Sequence, residues 1–197
     1  MATTGTRRLR ADAEQNTARI LAAAAEVLAD DPSASLERIG EAAGLTRATV
    51  HRRFASRQAL LAALAEELNQ RYLGALDQSW VDTAPPREVF LRLTEIVFEL
   101  KVSHRFAMEL LNGPSGCQTG LSPEVEERLD RVFARLRAAG EITATGAWWC
   151  RQVYLALLHE AHEVPVDTAD LAAAGGSRPE LVVAAVLGAL GGPVERA

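Results

Sequence analysis

The stretch from residue 36 to about 55 confines the fold of this chain more than any other. Leu36, Ile39 and Ala43 recur at helical spacing over two turns. Ser35 stands before them as an N-cap, and Glu37 follows where a carboxylate favours the helix dipole. Gly44 then falls where a helix that must stop wants a left-handed residue. Thr46 caps a second short segment that buries Val50 and Phe54, one turn apart. Ser56 opens a third, longer one with Leu60, Leu61, Leu64 and Leu68 on one side, reaching roughly Asp77. Two short helices joined by a glycine turn make a helix-turn-helix.

Around this motif the chain reads as all-α. Ala and Leu dominate and lose little rotamer freedom in a helix, and period-2 runs of β-branched residues are nearly absent. Ile20, Leu21, Ala24, Val27 and Leu28 give one apolar face between Asn16 and Ala29, stopped by Asp30-Asp31-Pro32. Residues 1–13, small, polar and basic at the start, read as a flexible basic arm. Residues 14–74 then form a three-helix head, and residues 75–197 a helical body entered through Ala84-Pro85-Pro86. Body helices are expected from Val89 through Leu100 toward Leu111, from Pro123 to Gly140, from Gly146 to Glu163, and from Pro179 to Leu190. Gly113–Ser122 reads as a long loop, and 165–176 as a segment without strong helix signals.

The net charge of −5 argues against a general nucleic-acid coat, but the charge is unevenly spread. The first 60 residues hold nine arginines against seven acids, and the acidic excess lies beyond them. The two cysteines, Cys117 and Cys150, form no CxxC pair and fit a reducing cytoplasm. Arg7, Arg8 and Arg10 lead into Ala11-Asp12-Ala13-Glu14, not into the apolar stretch of a signal peptide. The uncharged run from Leu181 to Val194 is too short to span a bilayer. A cytoplasmic protein without membrane partners is expected.

In a helix-turn-helix the second helix enters the major groove of double-stranded DNA. Its exposed face here presents Arg47, Ala48, Thr49, His51, Arg52 and Arg53. Arginine grips guanine O6 and N7 with two hydrogen bonds, and Thr49 and His51 suit phosphate oxygens. Thr46, Ser35 and Arg57 sit at helix starts where further phosphate contacts are expected. A helical hairpin with a solvated basic face is the alternative.

The sequence from Leu36 to Leu61, with Ala42-Ala43-Gly44, Thr46, Thr49, Phe54 and Leu60-Leu61 in place, resembles the TetR family of bacterial regulators. So does the run Arg19-Ile20-Leu21-Ala22-Ala23-Ala24, and the resemblance covers roughly residues 14–74. It implies an all-α homodimer, an N-terminal DNA-binding head and a variable body that binds a small molecule. His51 departs from the family's usual tyrosine, and Arg57 from its usual lysine. A histidine titrates near neutral pH, whereas arginine keeps the charge and changes only the geometry. Asp30-Asp31-Pro32-Ser33 replaces the glycine commonly found between the first two helices.

The body is read from physics alone. The last helix carries no charge after Glu180 and must be buried on most sides. Val182, Ala185, Val186 and Ala189, with Trp149, Val153 and Leu157 from the preceding long helix, are the expected dimer face; a core helix is the alternative. A dimer would set two recognition helices about 34 Å apart on a palindromic operator. Phe90, Phe98, His104, Phe106, Met108, Trp148 and Tyr154 are candidates for an apolar effector pocket, against the plainer reading that they are core. The expected function is a repressor released from its operator by a largely apolar small molecule.

His159 and His162 lie one turn apart, but a zinc-protease helix needs its histidines at i and i+4. A metal-dependent enzyme built on that pair is therefore a weaker reading. A small-molecule-binding protein whose head no longer grips DNA is another. Neither a catalytic residue nor a resident metal or cofactor is expected. Cys117, in the glycine-rich loop, could serve as a redox sensor or be incidental.

Overall fold

The computed structural model describes residues 3–79, 83–103, 121–165 and 167–192. The described residues are helical, with no strand among them. In chain order the helices are α1 (Thr3–Asp30), α2 (Leu36–Ala42), α3 (Arg47–Arg53), α4 (Arg57–Gln78), α5 (Pro86–Ser103), α6 (Pro123–Ala138), α7 (Ala147–Glu160), α8 (Ala169–Ala173) and α9 (Arg178–Ala189). They group into two compact units, and the boundary falls inside α4, between Asn69 and Gln70.

The first unit is built on α1 to α4. Ile20, Ala24 and Leu28 of α1, Leu36 and Ile39 of α2, Val50 of α3, and Leu60 and Leu64 of α4 form one buried cluster, closed by Ala34, Ala43 and Phe54. The flexible arm expected over residues 1–13 is not what the structure has: the backbone is helical from Thr3. Arg7, Arg8, Leu9, Arg10, Ala11 and Ala13 all favour a helix, the segment holds no proline, and Gly5 alone is too weak a breaker to start the helix later.

The second unit packs α5, α6, α7 and α9, with α8 as a short addition. Helix α6 follows from its sequence almost residue by residue. The Ser122 hydroxyl accepts from the Val125 N–H, Pro123 occupies the first turn, and Glu124 and Glu126 face the positive end of the dipole. Val125, Leu129, Val132, Phe133 and Leu136 make its buried stripe. Arg151, itself nearly buried, crosses from α7 to pair with Asp130 and, at 3.5 Å, with Glu126. Helix α9 starts on a capping box between Ser177 and Glu180. Its last carbonyl region is held by the N–H groups of Thr143 and Ala144, 3.0 and 3.1 Å from Leu190 O.

The body departs from expectation in two places. Helix α7 stops at Glu160 because residues 161–163 turn, and α8 appears inside the segment expected to lack structure, capped by Thr168 onto the Leu171 N–H. Among the described residues no helix is long and apolar enough to cross a membrane.

Candidate nucleic-acid interface

Local chemistry fixes the angle between α2 and α3. Ser35 accepts from the Arg38 N–H at 3.3 Å and starts α2. Gly44 ends it at φ 63°, with Gly44 N–H on Glu41 O and Leu45 N–H on Gly40 O at 3.0 and 2.9 Å. That pair of bonds is a Schellman motif, and the left-handed residue it needs is glycine at little cost. Thr46 then accepts from the Thr49 N–H at 3.3 Å and starts α3. Gly40 supplies closeness: a β-carbon there would stand 2.7 Å from Val50 Cγ2, so α2 and α3 touch backbone to side chain.

Helix α1 braces this turn from outside the motif. Arg19 Nη2 donates to the Ala43 carbonyl at 2.6 Å, at the point where α2 gives way to Gly44. A charge-assisted bond to an end-of-helix carbonyl is worth about 1 kcal/mol at this degree of exposure. Arg19→Ala is expected to lower head stability by about that amount. It should also weaken DNA binding several-fold at unchanged salt slope. Urea unfolding together with a salt-titrated gel shift checks both, and an unchanged unfolding midpoint would refute the brace.

One side of α3 is core and the other faces out. Val50 is fully buried, while Arg47, Ala48, His51, Arg52 and Arg53 are exposed and Thr49 is half-buried. Arg47 has 74% of its side chain accessible. The structure thus leaves the α3 candidates other than Thr49 exposed, with Arg53 turned toward α1, and the capping residues Ser35 and Thr46 exposed at the starts of α2 and α3. Arg57 stands differently. Its guanidinium donates to the Pro32 carbonyl, and Nε lies 3.5 Å from Ala34 O, so it closes the α1–α2 loop. In the same loop Asp31 accepts from the N–H and the hydroxyl of Ser33, which holds its carboxyl below the usual range. Asp30–Ser33 therefore makes an ordered turn in place of the family's glycine.

Glu37 was read only as a helix-dipole residue, yet it touches two members of the α3 face. Its Oε1 lies 3.2 Å from Arg47 Nε and 3.3 Å from His51 Nε2. Its own backbone N–H and the His51 ring hold its carboxyl below the ordinary value. Sequence spacing gave no sign of this, since the pairing crosses from α2 to α3. The head also carries an open groove of about 480 Å³ lined by Ala13, Thr17, Ala18, Leu21, Arg53 and two glutamates, which the sequence did not announce either.

The body candidates separate. Phe90 and Tyr154 are buried against Phe133, with ring centroids 5.2 to 6.2 Å apart, and Phe98 packs on His162 at 5.9 Å. Trp148 is 51% exposed and is not part of this buried ring cluster. Its helix turns Cys150, Arg151, Tyr154 and Leu158 inward, and Trp148 lies outside that buried set. His104, Phe106, Met108 and Cys117 lie outside the described residues. Cys150 is buried, and burial pushes its thiol up, away from thiolate chemistry.

The expected dimer face also divides. Val182 and Val186 are buried within their own chain, because α9 turns its valines onto the core. Ala185, Val153 and Leu157 are half-buried, and Ala189 and Trp149 are exposed. Among the described residues no group of three or more potential ligands surrounds a metal site, and His159 stands exposed at the end of α7.

Comparison with known proteins agrees with this geometry. Residues 20–64 match the family described as bacterial regulatory proteins, tetR family. The chain is 31% identical over 159 residues to the HTH-type transcriptional repressor LfrR of Mycolicibacterium smegmatis, covering 78% of this chain and 81% of the relative. It superposes on the LfrR structure from Mycobacterium smegmatis in complex with proflavine with a TM-score of 0.59 at 27% identity, covering 90% and 96% of the two chains. A transcription regulator from Marinobacter aquaeolei VT8 shares the fold at a TM-score of 0.66 and 18% identity, over 94% of this chain and all of that one.

Proposed function

This chain belongs to the TetR family of bacterial transcription regulators, and from that premise we propose that it is a homodimeric repressor whose head, residues 14–74, reads a palindromic operator. The family consists of DNA-binding regulators and not enzymes, so the His159 and His162 pair carries no catalysis. The observation that bears most weight is the α2–α3 unit: two capped helices locked by the Gly44 turn, with Arg47, Ala48, His51, Arg52 and Arg53 outward from one buried anchor, Val50. In this reading the arginines contact base edges and phosphates. Ser35 and Thr46 add phosphate contacts at the two helix starts. Arg57 shapes the loop that carries Ser35.

The body, residues 75–197, binds the effector and the second copy. LfrR has been crystallised with proflavine, and by likeness an aromatic effector is proposed here. Phe90, Phe98 and Tyr154 supply the apolar rings on its side of the molecule. Effector binding releases DNA only through different affinities for two states of the dimer. The protein acts in the cytoplasm, where the DNA is.

The test is a gel-shift titration on a palindromic duplex selected from a random pool. Saturable binding is expected, competed poorly by a scrambled duplex, with a log–log salt slope near −5 if the dimer meets about six phosphates. A salt-independent shift, or equal competition by both duplexes, overturns the proposal.

A further inference from the structure

We propose that Glu37 is a positioning residue for sequence reading: its carboxylate holds Arg47 and His51 in the arrangement that discriminates the operator from other DNA. This rests on the DNA-reading role proposed above. The geometry is unusual for an exposed face. One carboxylate oxygen, on α2, lies 3.2 Å from Arg47 Nε and 3.3 Å from His51 Nε2, on the first and second turns of α3. Arg47 met at Nε keeps its other edge, formed by Nη1 and Nη2, to offer two parallel donors to a guanine.

In the free protein the arrangement contributes little stability, because Glu37 is 39% and Arg47 74% exposed and water screens both. Its effect belongs to the complex, where water leaves the interface and a long side chain held in advance loses less freedom on binding. The carboxylate also repels phosphates. It therefore weakens loose, sequence-independent contact while the aimed side chains retain their contacts to the right bases.

Because Glu37 and His51 are 14 residues apart and on different helices, the clamp also couples the angle between α2 and α3 to the aim of the face. Neither Ser35 nor Thr46 can do this. Each hydroxyl caps its own helix, Ser35 on the Arg38 N–H and Thr46 on Thr49.

The experiment compares wild type, Glu37→Ala and Glu37→Gln for affinity to the selected palindrome and to a scrambled duplex of equal length, at fixed salt. Glu37→Ala should lower the ratio of the two affinities about tenfold, through tighter scrambled binding and weaker palindrome binding. Glu37→Gln, which keeps an acceptor oxygen for Arg47, should recover part of the palindrome affinity. In an Arg47→Ala/His51→Ala background, Glu37→Ala should leave the ratio unchanged. Equal gains on both duplexes would mean simple charge removal and overturn the proposal. A ratio that still falls in the double-variant background would mean that Glu37 contacts DNA itself, and overturns it too. Failure of the wild type to prefer the palindrome is a separate result, and counts against the DNA-reading role itself.

Discussion

Arg47→Ala and Arg52→Ala are each expected to abolish operator binding at concentrations where the wild type is saturated, with the fold unchanged. A good two-bond contact between arginine and guanine discriminates by about 1–3 kcal/mol. A symmetric dimer loses two such contacts with one substitution, so the loss is about 2–6 kcal/mol, roughly 30-fold to 10⁴-fold. Stability should hardly move. Arg52 is exposed, and Arg47 has only its water-screened pair with Glu37 to lose. Gel shifts on palindromic and scrambled duplexes at several salt concentrations sort the roles. A residue on a base edge lowers the ratio of the two affinities, whereas a residue on phosphate lowers both and flattens the salt slope by about one contact. If both variants bind the palindrome as well as wild type does, α3 is not the reading helix.

The same measurements bear on His51. Its ring stands between a carboxylate on one side and the DNA-facing surface on the other. Under the proposed reading its ring donates one hydrogen bond to a phosphate. His51→Tyr restores the residue type usual at that position and is the natural control for the contact's strength.

The helix-turn-helix was legible because its determinants are local. Ser35, Gly44, Thr46 and Ser56 act within four residues of themselves, and each occupies the predicted role: three accept from a helix-start N–H, and one turns left-handed. The core face was legible for the same reason, since Leu36, Ile39, Val50 and Phe54 follow from period alone. Arg19 on the Ala43 carbonyl and Glu37 on His51 were not, because 24 and 14 residues separate the partners and no periodicity spans the gap. The loop contacts of Arg57 were hidden for a related reason. Its position at a helix start is visible in sequence, but the loop carbonyls that occupy it are set by the fold.

The body was harder because α9 is apolar nearly all round and α7 carries few charges, so period does not fix which side faces in. Trp148 and Trp149 are neighbours, one read as pocket and one as interface, yet both are exposed. The phase of α7 is set instead by Cys150, Tyr154 and Leu158 at four-residue spacing. On α9 the β-branched valines go inward and the small residues Ala184, Gly188 and Ala189 go outward. Small residues outside and valines inside is what a helix needs if another helix is to approach closely.

Trp149→Glu is therefore expected to turn the dimer into a monomer at micromolar concentration and, with it, to remove operator binding. Trp148 and Trp149, at 51% and 54% exposure, are the large exposed hydrophobic side chains among the described residues. Exposed tryptophans beside a helix of exposed small residues mark an association surface better than any polar patch does. About half of a tryptophan's area of roughly 250 Å² is apolar surface left in water, worth about 3 kcal/mol if a partner covers it. The twofold axis counts each residue twice, so a single substitution costs the dimer about 6 kcal/mol, roughly four orders of magnitude in dissociation constant. The fold itself is spared. Trp149 lies in the first turn of α7, where a carboxylate favours the helix dipole, and its side chain faces away from Cys150 and Tyr154. Sedimentation from nanomolar to tens of micromolar, with thermal unfolding alongside, reads both effects. A variant that remains dimeric with an unaltered melting curve would show that the two chains meet elsewhere. One head alone on half a palindrome keeps only its own contacts, so the monomer's affinity should fall to that of its scrambled-duplex binding.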